Sequence, residues 1–385
     1  MPPGRRTRIL IVDDSAVMRS LLRSVVCANA ALEVAGTAAD GASALSSVAV
    51  LRPDLILLDV EMPVMDGLVT LRELRRRGHK MPVIMCSSLT QRGAKVTLEA
   101  LASGASDYVA KPAGQANREA AIGALGQDLG PKILALTGQF QVQNERLGPR
   151  ITHPAGSVES RAPMFLPLPA PVRNQPISSR PTVLAIGVST GGPAALDVLL
   201  PALPGDFPLP VLIVQHMPEL FTKLFAERLD GRCKLRVREA VDGEPVRAGS
   251  IMIARGNWHL EVIAGARGGA PPTLRLTQGP LENHCRPAVD VLFRTAAAVY
   301  GSGVLAVVLT GMGSDGMVGC RVIRGQGGAV LAQDQASSTV WGMPGAVANA
   351  GLAHKVLPLR DVAPEILRLV SRTHSEAREL RESVV

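Results

Sequence analysis

The 385-residue chain is predicted to be α/β, with two mainly parallel, doubly wound sheets joined by a proline-rich segment. Three observations carry this expectation. Short β-branched apolar runs alternate with longer segments of helical character in both halves of the chain. Between Pro149 and Pro181 there are eight prolines and no hydrophobic period, so this stretch belongs to neither core. With 46% apolar and 19% charged residues, the composition supplies the cores of two domains and argues against wholesale disorder.

In the first half, strands are expected at Arg8–Val12, Val34–Thr37, Leu55–Leu58, Val83–Cys86 and Tyr108–Val109, with helices such as Ala16–Ala28 and Gly67–Arg77 between them. The proline-rich stretch then reads as a spacer of roughly 30 Å if it behaves as a flexible coil. Alternation resumes with strands at Val183–Val188, Val211–Gln215, Ser250–Ala254, Val304–Leu309 and Ala329–Ala332. Helices are expected at Ala194–Leu200, Leu220–Leu229, Val289–Val299 and Gly316–Arg324, and a terminal helix over Asp361–Leu380. The boundaries that follow are a first domain over 7–138, a linker over 139–181, a second domain over 182–372 and a tail over 373–385.

The net charge of +8 invites a search for anionic partners, but its distribution removes the force of the number. Residues 1–148 carry 17 basic and 14 acidic groups, residues 149–181 carry 4 and 1, and the remainder carries 20 and 18. The one dense basic run, Arg75, Arg76, Arg77 and Lys80, reads as a solvated helix end. Ten aromatic residues supply few platforms for base stacking, and no helix-turn-helix signature follows the linker, so nucleic acid is not an expected partner. Five scattered cysteines without zinc-like spacing suit a reducing compartment. The apolar run Ile9–Val12 stops at Asp13, too short for a signal peptide, and no stretch approaches 18 apolar residues, so a cytoplasmic protein without membrane insertion is expected.

Chemistry gathers where strands end. Asp13 and Asp14 follow the first strand and Asp59 ends the third, the positions where an open parallel sheet binds ligands. Asp14 alone would read as a helix cap. Three carboxylates together repel one another, and a divalent cation with oxygen ligands, Mg²⁺ by preference, is the natural neutraliser. Ser87 ends the fourth strand and Lys111 follows the fifth. A hydroxyl, an ammonium and a metal around one carboxylate are what transfer of a phosphoryl group onto Asp59 requires.

Residues 7–138 resemble the receiver domain of bacterial response regulators through ILIVDDSAVMR, PDLILLDVEMPVMDGL, PVIMCSS and DYVAKP. The resemblance implies a flavodoxin-like sheet and phosphorylation of Asp59 by a histidine kinase. It also implies Mg²⁺ at Asp13, Asp14, Asp59 and the carbonyl of Glu61, and a switch pair formed by Ser87 and Tyr108.

The second domain carries Gly187-Val-Ser189-Thr-Gly191-Gly192-Pro193 after its first strand, a literal G-x-S-x-G turn into a helix. On this motif alone a phosphate site at the helix N-terminus and a nucleophilic serine are equally supported. His216, after the next strand, is the best-placed base among the seven histidines. Asp315, in a glycine-rich turn after the strand Val304–Leu309, can orient the imidazole. The chain order Ser189, His216, Asp315 disfavours an ordinary lipase or esterase of the α/β-hydrolase type.

Residues 182–372 resemble the catalytic domain of the protein-glutamate methylesterase (CheB) family through IGVSTGGP, VQHMP, NHCRPAVDVLF, VLTGMGSDGM and AQDQASSTVWGMPGA. The resemblance implies hydrolysis of glutamate γ-methyl esters, and often deamidation of glutamine, on methyl-accepting chemotaxis receptors, with no cofactor for the ester chemistry. It implies an oxyanion hole from the Met312 N–H and the N–H groups beside Ser189 at Gly191 and Gly192, with Thr190 supporting the imidazole or the turn. Ala288, Ser314 and Gly345 depart from the family's usual serine, asparagine and arginine. A receiver on a tether further suggests that the unphosphorylated receiver covers the cleft. The alternatives from other classes are a phosphate-binding protein and a transcription-output regulator without esterase activity.

Overall fold

The computed structural model describes residues 5–112, 117–138, 180–266 and 269–382, with side chains to residue 371. Most of the proline-rich spacer therefore lies outside the described residues.

The first sheet contains β1 (Thr7–Val12), β2 (Leu32–Ala38), β3 (Leu55–Asp59), β4 (Val83–Ser87) and β5 (Asp107–Ala110), all parallel, in the order β2-β1-β3-β4-β5. Its helices are α1 (Ala16–Cys27), α2 (Gly41–Leu51), α3 (Gly67–Arg76), α4 (Gln91–Ala102) and α5 (Arg118–Leu136). The strand order is the flavodoxin-like one, so the chain reverses direction between β1 and β3, and that is where a crevice opens. Side-chain alternation sorts the core. Ile9 and Ile11 face α1 and α5 residues such as Leu22, Val26, Leu125 and Leu129, whereas Leu10 and Val12 join the opposite layer. Caps expected of Asp, Ser, Thr and Asn are present: Ser15, Asp40, Asp66, Thr90 and Asn117 each accept a backbone N–H at the start of a helix.

The second sheet has seven parallel strands in the order β14-β13-β12-β6-β7-β9-β8. These are β6 (Val183–Val188), β7 (Val211–Gln215), β8 (Arg236–Glu239), β9 (Ser250–Ile253), β12 (Val304–Val308), β13 (Ala329–Gln333) and β14 (Lys355–Leu357). Helices α6 (Gly192–Leu199), α7 (Glu219–Asp230), α8 (Val289–Tyr300), α9 (Met317–Gly325), α10 (Met343–Asn349) and α11 (Leu359–Glu382) cover its faces. An antiparallel pair, β10 (His259–Ile263) and β11 (Thr273–Thr277), stands apart and packs on α8. From β6 the chain winds one way through β7 and then returns to the other side of β6 as β12, so the switch in strand order falls between β6 and β12.

The central strands are buried on both faces and match their sequence expectations closely. Strands β8, β10, β11 and β14 were not anticipated. Each is short, lies at an edge or in the hairpin, and alternates apolar with polar residues, as in Arg-Val-Arg-Glu of β8. Such segments lack the continuous apolar run that reveals a two-face-buried strand.

The two domains share one packed layer. Helix α4 packs against α6 and α7, and a single apolar cluster runs from Leu98, Leu101 and Tyr108 of the first domain to Leu196, Phe221 and Phe225 of the second.

Candidate active site

In the first domain, the strand register brings the acids to one edge. Val12 pairs with Leu58 and Asp59 with Cys86, so Asp13, Asp59 and Ser87 emerge side by side, while the Lys111 N–H donates to the Ser87 carbonyl at 2.7 Å. Oxygen atoms of Asp13, Asp14 and Asp59 lie within 4.8 Å of one another. Lys111 Nζ reaches Asp13 Oδ2 at 2.8 Å and Asp59 Oδ1 at 2.7 Å, and these carboxylates hold its ammonium above the usual lysine range against the effect of burial. Asp59 is buried, and burial pushes its carboxyl up to about 6 even though Lys111 pulls the other way. Its Oδ2 has no hydrogen-bond partner among the described residues. A buried carboxylate oxygen without a donor, beside exposed Asp14 and an all-oxygen set, fits a hard divalent cation. Glu61 sits at the rim, its N–H 3.4 Å from Asp59 Oδ1 and its side chain turned to Arg92. Ser87 is fully buried, and its hydroxyl donates to the Ser88 carbonyl.

In the second domain, β6 runs into the turn that carries Ser189. The Ser189 N–H donates to the Thr310 carbonyl at 3.0 Å, the His216 N–H donates to the Val188 carbonyl at 3.2 Å, and the ends of β6, β7 and β12 thus converge at the switch point. Gly191 holds φ of 77°, and a Cβ there would meet Thr339 Oγ1 at 2.3 Å. Only glycine meets both demands. At Gly192 a Cβ would lie 2.0 Å from Gln215 Oε1. Gln215 donates to the carbonyls of Ser189 and His216 and so ties nucleophile turn to base strand.

Asp315 is 2% exposed and is encircled by donors. His216 Nε2 lies 2.8 Å from Oδ2, the N–H of Val289 donates to Oδ2 at 2.6 Å, and the N–H groups of Asp290 and Gly316 donate to Oδ1 at 3.0 and 2.9 Å. Val289 and Asp290 open α8, so the carboxylate occupies the positive end of a helix dipole. Burial opposes ionisation, but His216 and these donors win and hold Asp315 below the usual carboxylate range. For His216, burial would depress the imidazole; Asp315 and the nearby Cys285 outweigh it and push the group up to about 10. The second ring nitrogen, Nδ1, faces Cys285 Sγ at 3.6 Å. The Ser189 hydroxyl makes no hydrogen bond to His216 among the described residues. The Met312 N–H is likewise without a partner there, and it belongs to a segment pressed on the serine: a Cβ at Gly311 would lie 2.9 Å from Ser189 Cβ.

Thr190 does not turn to the imidazole. Its hydroxyl donates to Asp107 Oδ2 of the first domain at 2.7 Å in a buried bond. Asp107 begins β5, and burial pushes its carboxyl up. The next residue, Tyr108, stacks on Phe221 of α7 with ring centroids 4.5 Å apart and planes at 15°. Lys132 of α5 lies 5.3 Å over the Tyr108 ring and donates to the Tyr108 carbonyl. The first domain therefore seats its β5 edge directly on the residue after Ser189.

Sequence reasoning named Ser189, His216 and Asp315 and also Asp13, Asp14, Asp59, Ser87 and Lys111, and each group is gathered at one sheet edge. It gave no role to Asn283, Cys285, Asp290, Gln215 or Asp107. The first three stand inside the quoted segment NHCRPAVDVLF, which was the available signal.

These features define a response regulator whose output domain is a hydrolase-like parallel sheet. Comparison with known proteins bears this out. A model of the response regulator receiver domain matches residues 9–122, and a CheB methylesterase model matches residues 184–366. A protein-glutamate methylesterase/protein-glutamine glutaminase from Nocardioides sp. is 51% identical over 95% of this chain and 96% of the relative, and one from Trichodesmium erythraeum is 47% identical over 94% and 99%. The crystal structure of the Thermotoga maritima CheB methylesterase catalytic domain is 41% identical over 50% of this chain and all of that one, with a TM-score of 0.48. The chain belongs to the protein-glutamate methylesterase/protein-glutamine glutaminase family. No helix among the described residues is long and apolar enough to cross a membrane.

Proposed function

We propose that this chain hydrolyses glutamate γ-methyl esters, and deamidates glutamine, on methyl-accepting chemotaxis receptors in the cytoplasm, under control of phosphorylation by a chemotaxis histidine kinase. The observation that carries the reading is the His216–Asp315 pair set beside the Ser189 turn at the switch point of a parallel sheet, in a chain of this family. Both reactions are acyl transfers to serine. Ser189 Oγ attacks the side-chain carbonyl, and His216 accepts its proton through Nδ1, the nitrogen that Asp315 leaves free. The protonated imidazole then gives that proton to the departing methanol or ammonia. Water, deprotonated by His216, splits the acyl-enzyme and releases glutamate. The Met312 N–H, with the N–H groups of Thr190 and Gly191, would receive the oxyanion, an interaction worth about 3–4 kcal/mol per donor. The Gly192 N–H, expected from the resemblance to join them, donates instead to the Ser189 carbonyl at 2.7 Å.

The described arrangement reads as the resting one. His216 Nδ1 faces Cys285, Thr190 is held by Asp107, and the pair favours the imidazolium, which cannot act as base. Phosphorylation of Asp59 would be relayed through Ser87 to Tyr108, whose ring is itself part of the contact. Asp13, Asp14, Asp59 and the Glu61 carbonyl would hold Mg²⁺, which when bound neutralises charge on the entering phosphoryl group. This chain's own part is to present Asp59 with Lys111 beside it. Neither the phosphate-binding nor the transcription-output alternative gains an observation.

The test is methanol release from methylated receptors with and without a small-molecule phosphodonor. Ser189→Ala is expected to abolish release under both conditions; undiminished release would refute the assignment.

A further inference from the structure

Among the described residues, Asp315 has one side-chain donor besides His216. Asn283 Nδ2 lies 2.9 Å from Asp315 Oδ1 and 3.0 Å from Oδ2 of a second buried carboxylate, Asp290. A carboxamide facing two carboxylates can bond them only through its nitrogen, one N–H to each. Asp290 is 2% exposed, and its other oxygen accepts the Gly319 N–H at 2.6 Å. Asn283 itself is exposed and reaches in from the loop, where it and His284 both adopt positive φ, 51° and 63°. Two successive non-glycine residues in that region are uncommon, and asparagine tolerates it best. Asn283 thus combines a strained backbone with a side chain that fits one electrostatic gap.

We propose that Asn283 is a positioning residue for the His216–Asp315 pair: its amide nitrogen screens Asp315 from Asp290 and keeps the carboxylate aimed at the imidazole. The inference rests on the triad reading above. Other charged or titratable groups face the same cluster: Cys285 toward His216 from the loop, Arg294 toward both acids from α8, and Cys320 toward both acids from α9. Arg294 is engaged by Glu282 at 2.7 Å, so it does not replace the amide.

The experiment compares Asn283→Ala and Asn283→Asp in the full chain, using methanol release from methylated receptors with phosphodonor present, across pH. In the alanine variant water partly stands in for the lost donor, and kcat is expected to fall about threefold to tenfold with KM little changed. The aspartate variant has the same shape but adds a third carboxylate, so its loss is expected to be larger. In both, a less screened Asp315 holds the proton on His216 more tightly, and the acid limb of the pH profile moves to higher pH. Because each profile is normalised to its own plateau, partial misfolding does not mimic the shift. Both variants within twofold of the parent, or alanine more damaging than aspartate with the acid limb unmoved, would make Asn283 a loop filler and overturn the inference. Ser189→Ala is run alongside; if it remained active, the triad reading would fail instead.

Discussion

Replacing Tyr108 with alanine tests whether the contact between domains restrains the esterase. The ring is 7% exposed and stacked on Phe221, so the substitution deletes a buried aromatic from the interface and leaves the Ser189, His216 and Asp315 machinery untouched. Burial of such a side chain contributes about 1.5–3 kcal/mol and a stacked pair about 0.5–1.5 kcal/mol more. The docking equilibrium should therefore shift by about 2–4 kcal/mol, roughly 30- to 1,000-fold towards the open form. Methanol release without phosphodonor is the assay. Because activity saturates once the domains are apart, basal release should rise towards the level of the phosphorylated parent, with little further gain from phosphodonor. Basal release equal to that of the parent, with phosphodonor stimulation intact, would show that the contact does not restrain the site.

Asp59→Asn should leave release at its unphosphorylated level whatever phosphodonor is added, and full stimulation in that variant would remove Asp59 as acceptor. Chelation of Mg²⁺ should likewise abolish stimulation by phosphodonor, while release by Tyr108→Ala continues unaffected. The raised His216 pKa has a definite sign: the imidazolium is favoured in the folded chain, so its stabilising effect is complete below about 6.5, the free value, and is lost as pH rises through about 10. Basal release, which needs the neutral ring, should accordingly climb as pH is raised from neutral towards 9. A profile already flat from pH 6 upward would contradict this.

The central strands of both sheets were legible because burial on two faces demands unbroken apolar runs, and the candidate site residues were legible because parallel sheets put chemistry at strand ends. Ser189, His216 and Asp315 each follow such a run within a few residues. What escaped depends on contacts between distant segments. Nothing local tells that Asp107 meets Thr190 across 83 residues, or that Tyr108 stacks on a ring of the other domain. Thr190 shows the limit clearly: its place beside the nucleophile suggested support for the imidazole or for the turn, and nothing in it announced that its hydroxyl donates to Asp107 of the other domain. Asn283 was hidden for a different reason, since its conformation and its two partners arise only when the loop, α8 and the Asp315 turn are assembled.

Among the described residues, Asp315 is held by five donors, and three of them are main-chain N–H groups of Val289, Asp290 and Gly316. Only replacement by proline removes a main-chain donor, so most of this anion's support is indifferent to which side chains drift around it. The carboxylate can thus tolerate sequence change in its neighbourhood that would unseat an acid held by lysines or arginines. The vulnerable part of the site is the short list of side chains that touch it, His216 and Asn283.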